Sequence, residues 1–155
     1  MNIKAKLKEY YEQLVSLKGK PNTIAYGFAI GVFIGVTPTI PFHTVLIVLF
    51  CLLLKKNITA GYIGAWMIST PLTIAFLYVS QYQLGKLLLG KSYPRFYFQH
   101  SSLIDIIHKG WDVLLPLLVG GFIMAPILAV PAYFIARKLI LAVRKGYYDQ
   151  GEANT

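Results

Sequence analysis

The sequence predicts an all-α membrane protein whose helices are interrupted by proline. Two observations lead to this fold class. Three long stretches carry no Asp, Glu, Lys or Arg, and they cover residues 21–54, 57–85 and 113–136. About 20 apolar residues suffice to cross the hydrocarbon core of a bilayer, so each stretch is long enough for one helix. In addition, the first two stretches share the pattern Gly-x5-Thr-Pro, at Gly31–Pro38 and Gly64–Pro71.

The composition and the placement of charge agree with a membrane protein. Hydrophobic residues make up 56% of the 155 residues, and the formal net charge is +9. The basic residues cluster where the apolar stretches end, in segments 4–20, 55–56, 86–95 and 137–145. This distribution is typical of the positive-inside rule and of contact with anionic lipid headgroups. We therefore expect anionic membrane lipids as partners, and we do not expect nucleic acid.

Residues 1–20 are predicted to form an amphipathic helix on the cytoplasmic surface. The apolar positions recur at spacings of three and four residues, which places them on one stripe opposite lysines. That stripe consists of Ile3, Leu7, Tyr10, Leu14 and Leu17. The alternative is a juxtamembrane helix that packs on its own domain. In either case the N-terminus is expected to be cytoplasmic, and we expect no cleavable signal peptide.

The membrane domain is predicted to extend over residues 21–143 and to begin with a helix from Asn22 to Val36. Gly27, Gly31 and Gly35 recur every four residues in this helix. They form a smooth face that lets another backbone approach closely. We expect this face to serve helix packing inside the protein rather than a dimer interface.

The first break, residues 37–41, separates two helices that are each too short to cross a bilayer. At about 1.5 Å per residue, 22–36 reaches about 22 Å and 42–54 about 20 Å, against a hydrocarbon core of about 30 Å. Both ends of the pair are basic, at Lys18 and Lys20 and at Lys55 and Lys56. A re-entrant hairpin over 21–56 satisfies both constraints. One kinked span with its lysine pair outside remains the alternative.

The same reasoning applies to the rest of the chain, where the sequence determines the topology less clearly. Segment 57–90, broken at Thr70-Pro71, is predicted to be a second hairpin or a full span. Segment 91–112 has the mixed aromatic and basic composition of the interfacial region, and Ser102–Asp105 resembles a capping box. Segment 113–136 is predicted to be a kinked span, with a shallow hairpin as the alternative. A polar tail is expected over 144–155.

The motifs around the breaks resemble a bacterial membrane family known as domain of unknown function 2062. The matching elements are Gly31-Val-Phe-Ile-Gly35, Pro38 and Pro41 with His43, Lys55-Lys-Asn57, Pro71-Leu-Thr73, and Tyr82-Gln-Leu-Gly-Lys-Leu-Leu-Leu-Gly90. Thr70 stands where that family commonly has Asn. The likeness covers about residues 20 to 140. It implies a multi-pass helical protein of the bacterial inner membrane, in a family sometimes fused to glycosyltransferase domains. The Pro-broken helices are also similar, in architecture only, to lipid-carrier flipping and scrambling families.

The two breaks are the candidate ligand site. A Thr before a Pro resembles an N-cap followed by Pro at the first helical position, so Thr37 and Thr70 are each expected to begin a helix. Converging helix N-termini bind anionic groups, and His43 adds an ionisable side chain. The expected ligand-binding residues are Thr37, Pro38, Thr39, Pro41, His43, Thr44, Ser69, Thr70, Pro71 and Thr73. The alternative is that these prolines mark structural kinks without a ligand.

Enzymatic chemistry finds no support in the sequence. The apolar stretches contain no paired carboxylates, and His100 and His108 lack the spacing of metal ligands. We expect no metal, no cofactor and no enzyme. The expected function is transport-type handling of an anionic lipid or polyprenyl-phosphate carrier by a small, oligomeric membrane protein. The alternative is a membrane-anchored interaction module that positions a partner enzyme such as a glycosyltransferase.

Overall fold

The computed structural model describes residues 3–39, 42–90 and 110–152, and this part of the chain is entirely helical. Its helices are α1 Ile3–Ser16, α2 Pro21–Val36, α3 His43–Leu53, α4 Ile58–Ile68, α5 Pro71–Leu89 and α6 Gly110–Glu152. The predicted all-α class is thereby confirmed. Pro41 and segment 91–109, which includes the capping box expected at Ser102, lie outside the described residues.

Helix α2 is the centre of the packing. It contacts α4 along one side and α6 along another. Ile24, Val32 and Val36 are almost completely buried in these contacts. The helix is apolar on nearly every side, as is typical of a helix in a protein core or in a membrane.

Helix α3 returns the chain to the level at which α2 begins. The backbone N–H of Asn57 donates to the carbonyl of Thr23 over 3.3 Å. Lys56 Nζ lies 4.6 Å from the ring centroid of Tyr26. Asn57 then caps α4, because its side-chain oxygen accepts from the backbone N–H of Ala60 at 2.9 Å. Residues 21–56 therefore form a helical hairpin.

The glycine face of α2 contacts α4. A Cβ added to Gly27 would overlap the carbonyl oxygen of Asn57, and one added to Gly31 would overlap that of Gly61. A Cβ on Gly35 would lie 3.1 Å from the Cα of Ala65. Each partner stands thirty residues further along the chain, so α2 and α4 run parallel. The close approach of the two backbones depends on the absence of side chains at these positions.

Helix α5 leaves α4 at an angle and packs against α6. The axes of Ile58–Ile68 and Thr73–Leu89 are bent by 80° at the second break. A Cβ on Gly85 would overlap the carbonyl of Pro116, and one on Gly120 would overlap that of Gln81. The pairing is antiparallel, and it carries α5 past the end of α2.

Helix α6 is longer than the sequence predicts. It continues from Gly110 to Glu152, with Pro116, Pro126 and Pro131 inside it. The helix therefore continues beyond the predicted end of the span at 136 and into the segment 144–155, which the sequence predicts to be a polar tail. Residues 137–145 consist of Arg, Lys, Leu, Ile, Ala and Val, and most of these favour helix, so nothing stops the helix there.

Helix α4 and the extended end of α6 together provide the docking surface for α1. Leu14 is buried in the core cluster, and Tyr10 and Leu17 pack against the same cluster. An Arg144 guanidinium nitrogen donates to the carbonyl of Leu17 over 3.1 Å. Helix α1 therefore packs on its own domain, which is the second of the two arrangements considered for residues 1–20.

By length and composition, one described helix can cross a membrane, and it covers Asp112–Lys145. Helices α4 and α5 pass the same test only as a bent pair, which fits a broken span or a re-entrant loop. Helices α2 and α3 are apolar but shorter.

The α2–α4 contact can be tested by adding one methyl group. We expect Gly31→Ala to destabilise the protein by about 1–3 kcal/mol, because the new Cβ overlaps the backbone of α4 and the helices must move apart. Gly110→Ala is the matched control, since no atom of the described residues lies within 4 Å of a Cβ at that position. Thermal unfolding in detergent measures both. Equal melting temperatures for the two variants would contradict the close packing.

Candidate functional site

The two breaks lie side by side at the ends of α2 and α4. A Cβ on Gly35 would lie 3.1 Å from the carbonyl oxygen of Ala65 and 3.4 Å from Ser69 Oγ. Since α2 and α4 run parallel in close contact, the point where each helix stops falls at the same level of the protein.

A cavity of about 290 Å³ lies where the breaks meet. Helices α3, α4 and α5 contribute most of its walls. Among the described residues, its polar lining consists of an imidazole, an indole and four hydroxyl groups, with no carboxylate and no lysine or arginine. The lining residues are Gly35, His43, Thr44, Ile47, Tyr62, Ala65, Trp66, Ser69, Ile74 and Tyr78.

His43 is held at the cavity by the first break. Its Nε2 lies 3.1 Å from the carbonyl oxygen of Thr37. A carbonyl can only accept, so Nε2 carries a proton and donates it. This contact leaves Nδ1 as the ring nitrogen that is available to a ligand.

Ser69 contributes a hydroxyl that has no partner. Its Oγ is buried and makes no hydrogen bond to any residue in the described part of the chain. Buried polar atoms in proteins are paired in the great majority of cases, and an exception calls for an explanation. A ligand in the adjoining cavity is one such explanation.

The first break differs from its prediction. Thr37 is the C-cap of α2 with extended backbone angles, and α3 begins at His43 after Phe42. The predicted N-cap role of Thr37 is therefore wrong. A residue that precedes proline is driven into the extended region, so Pro38 ends the first helix instead of starting the second. The Thr37 hydroxyl donates to the Ile34 carbonyl over 2.7 Å and lies 3.2 Å from Thr39 Oγ1.

The second break is capped by its own threonines. Thr70 is the N-cap of α5, Pro71 follows it, and Thr70 forms a capping box with Thr73. The two hydroxyl oxygens are 2.6 Å apart, and Thr73 Oγ1 also contacts the carbonyls of Thr70 and Ile68. These side chains satisfy the backbone of the break.

The predicted ligand residues thus separate into two groups. His43, Thr44 and Ser69 line the cavity. Thr37, Thr39, Thr70 and Thr73 bond to one another or to neighbouring carbonyls. Pro38 lies against α6 beside Gly121, where a Cβ would meet its Cδ at 2.8 Å. The cavity also takes Tyr62, Trp66 and Tyr78, which the sequence did not suggest.

Gln81 is a further residue that the sequence prediction missed. It is 0% exposed, and its Nε2 donates to the carbonyl of Val36 over 2.7 Å. In an unbroken helix this carbonyl would accept from the N–H four residues on, but the break at Pro38 removes that partner. The sequence does contain a signal for this residue, namely an amide side chain inside a charge-free stretch. Gln81 Oε1 has no partner in the described part of the chain.

Comparison with known protein families identifies the family of this chain. A family model matches residues 4–147. The protein belongs to DUF2062, described as an uncharacterized protein conserved in bacteria. The resemblance found in the sequence is therefore confirmed. No curated protein and no solved structure matches this DUF2062 chain.

The described residues of the DUF2062 protein contain no candidate metal site. Within 3–39, 42–90 and 110–152, no three His, Cys, Asp or Glu side chains lie together in a way that could hold an ion. The cavity at the breaks instead offers hydroxyl groups, an indole and an imidazole, which can form hydrogen bonds with a polar ligand.

The role of Gln81 as a cap can be tested on α5. We expect Gln81→Leu to cost about 1–3 kcal/mol of stability, because it leaves the Val36 carbonyl buried without a donor. Gln83→Leu is the matched control, since Gln83 is exposed on the same helix. The measurement is the free energy of unfolding in detergent. Equal stability of the two variants would show that the Gln81 bond does not stabilise the break.

Proposed function

We propose that this protein is a multi-pass membrane protein that binds the phosphate of an anionic lipid or polyprenyl-phosphate carrier in the cavity at the two breaks. The observation that carries the proposal is the unpartnered hydroxyl of Ser69, which belongs to the same cavity lining as His43. A phosphate would accept from the Ser69 hydroxyl and, when the His43 ring carries both protons, from its Nδ1. The described part of the lining contains no carboxylate that would repel it.

The uncapped start of α3 supports an anion at this position. Phe42 precedes α3 and provides no side-chain hydrogen bond to its first turn. The first N–H groups of a helix lack intrahelical partners, and the helix dipole is positive there. His43 and Thr44 belong to that turn and line the cavity. The start of α5 is capped by Thr70, so α3 is the better anion-binding terminus.

The apolar surface supports placement in a bilayer. Large hydrophobic side chains are exposed on α3, α5 and α6, and they include Leu53 at 68%, Phe76 at 73% and Leu87 at 78% exposure. Of the most hydrophobic window of Asp112–Lys145, 22% is buried inside the protein. The core helix of a soluble domain would be mostly covered, and soluble monomers rarely expose large contiguous apolar patches. We therefore expect this apolar surface to contact lipid.

We propose a topology with a re-entrant hairpin, a broken span and a full span. The hairpin is α2–α3, because Asn57 returns to Thr23. The broken span is α4–α5, because α5 passes beyond α2 and pairs with the first turns of α6. Helix α6 is the full span. The basic ends of α1, α3 and α6 would then share the cytoplasmic side of a bacterial inner membrane.

Cysteine labelling tests this topology. In a Cys51→Ser background, Lys20→Cys and Lys56→Cys should react with a membrane-impermeant reagent from the cytoplasmic face only. Lys86→Cys, near the end of α5, should react from the opposite face. Labelling of Lys20→Cys and Lys56→Cys from opposite faces would refute the hairpin. Labelling of all three from one face would refute the broken span.

Binding of a polyprenyl phosphate to the purified protein tests the site. We expect Ser69→Ala and His43→Gln each to weaken binding roughly tenfold, as for loss of a hydrogen bond to a charged group. Ser69→Ala should leave thermal stability without ligand unchanged, since its hydroxyl has no partner to lose. Ser80→Ala is the matched control, because the Ser80 hydroxyl bonds to the Phe76 carbonyl at 2.9 Å and lies outside the cavity lining.

The unphosphorylated polyprenol provides the second control. It should bind all four proteins equally, because it lacks the group that the cavity recognises. Unchanged affinity for the phosphate in both site variants would refute the anion site. It would favour the interaction module, which positions a partner enzyme such as a glycosyltransferase.

A further inference from the structure

A second concave surface, distinct from the break cavity, runs along the other side of the hairpin. This groove has a volume of about 490 Å³ and lies between α2, α3 and α6. From Tyr26 to Ile34 it follows α2 for about 12 Å. None of its described lining residues is charged, and aromatic rings from all three helices line it, among them Phe33, Phe50 and Phe134.

One end of the groove carries positive charge. Tyr26 and Tyr133 form that end, with ring centroids 4.4 Å apart. Lys56 Nζ lies 4.6 Å from the Tyr26 ring centroid. On α6, Arg137 and Lys138 follow Phe134 by about one turn, so they continue the same side of the helix beyond the groove.

We propose that this groove binds an anionic phospholipid, with one acyl chain between α2, α3 and α6 and the phosphate at Lys56. The site rests on the membrane placement proposed above and is independent of the break cavity. The apolar walls match a hydrocarbon chain. The ammonium over Tyr26 keeps N–H donors for a phosphate oxygen, and juxtamembrane lysines attract anionic lipids.

The charge at the mouth of the groove favours a lipid over a second copy of the chain. A copy in the same membrane orientation would bring its own basic end to the same level. Lys55, Lys56, Arg137 and Lys138 would then face like charges. An anionic headgroup neutralises these charges instead of adding to them.

Photolabelling in detergent tests the site, with phosphatidylglycerol whose acyl chain carries a photoreactive group. Labelled positions are mapped by peptide mass spectrometry. We expect labels on Phe50, Val130 and Phe134, and we expect weaker labelling by phosphatidylcholine with the same chain. Lys56→Gln should reduce phosphatidylglycerol labelling about fivefold. Lys55→Gln is the control, because Lys55 is exposed and makes no contact with Tyr26. Equal losses in both variants would refute a specific phosphate contact.

Two tryptophan substitutions on α6 test the chain site itself. Val130→Trp fills the groove and should abolish labelling by both lipids. Ile127→Trp is similarly exposed on the same helix but lies outside the groove, so it should leave labelling unchanged. Equal effects of the two variants would overturn the proposal. So would a dimer in the parent that Val130→Trp dissociates, because the groove would then be a subunit interface.

Two further control experiments distinguish the possible causes of photolabelling. Inorganic phosphate has no chain, so its addition should leave labelling unchanged. Displacement by it would indicate a free-anion site at Lys56 and would overturn the lipid assignment. Ser69→Ala should be labelled in the groove like the parent, so the groove and the break cavity can each fail without the other.

Discussion

The structure depends on the close contact between the backbones of α2 and α4. Gly27 and Gly31 on α2 face Asn57 and Gly61 with no side chain between them, and Gly64 on α4 faces the carbonyl of Phe28 in the same way. The contact holds the two helices parallel and in one register. Since each helix stops at a Thr-Pro break about one turn beyond the contact, the register brings both breaks to the same level. The cavity exists because of that coincidence.

The polar chemistry of the cavity follows from how the breaks satisfy their own backbone. A proline break frees carbonyl groups, and buried carbonyls need donors. Thr37 donates to Ile34, Gln81 donates to Val36, and His43 donates to Thr37. Once these donors are engaged, the hydroxyl of Ser69 has no partner among residues 3–39, 42–90 and 110–152. The candidate anion site therefore consists of the polar groups that the hydrogen bonds of the breaks do not use.

The length of α6 connects the proposed membrane domain to its basic end. Its 43 residues reach about 65 Å, which exceeds a bilayer of about 40–45 Å including headgroups. The far end of the helix, where α1 docks through Leu14 and Arg144, would then project from the membrane with most of the described basic residues. The proposed lipid groove opens toward this end, and the break cavity lies at the opposite end of the hairpin. The two proposed sites would thus lie at different depths in the membrane.

The sequence by itself determined the helical class, the positions of the breaks and the glycine face, because each follows from local properties. Apolar length, proline geometry and a four-residue repeat act within one segment. The tertiary structure alone decided which side chains remain free. Thr37 and Thr70 occupy the same position of the Gly-x5-Thr-Pro pattern, yet Thr37 ends one helix and Thr70 begins another. Ser69, beside Thr70, bonds to no described residue. The roles of Gln81 and Tyr26 depend on contacts with residues far along the chain. Hydrogen bonds and grooves between helices are set by packing register, which no single segment encodes.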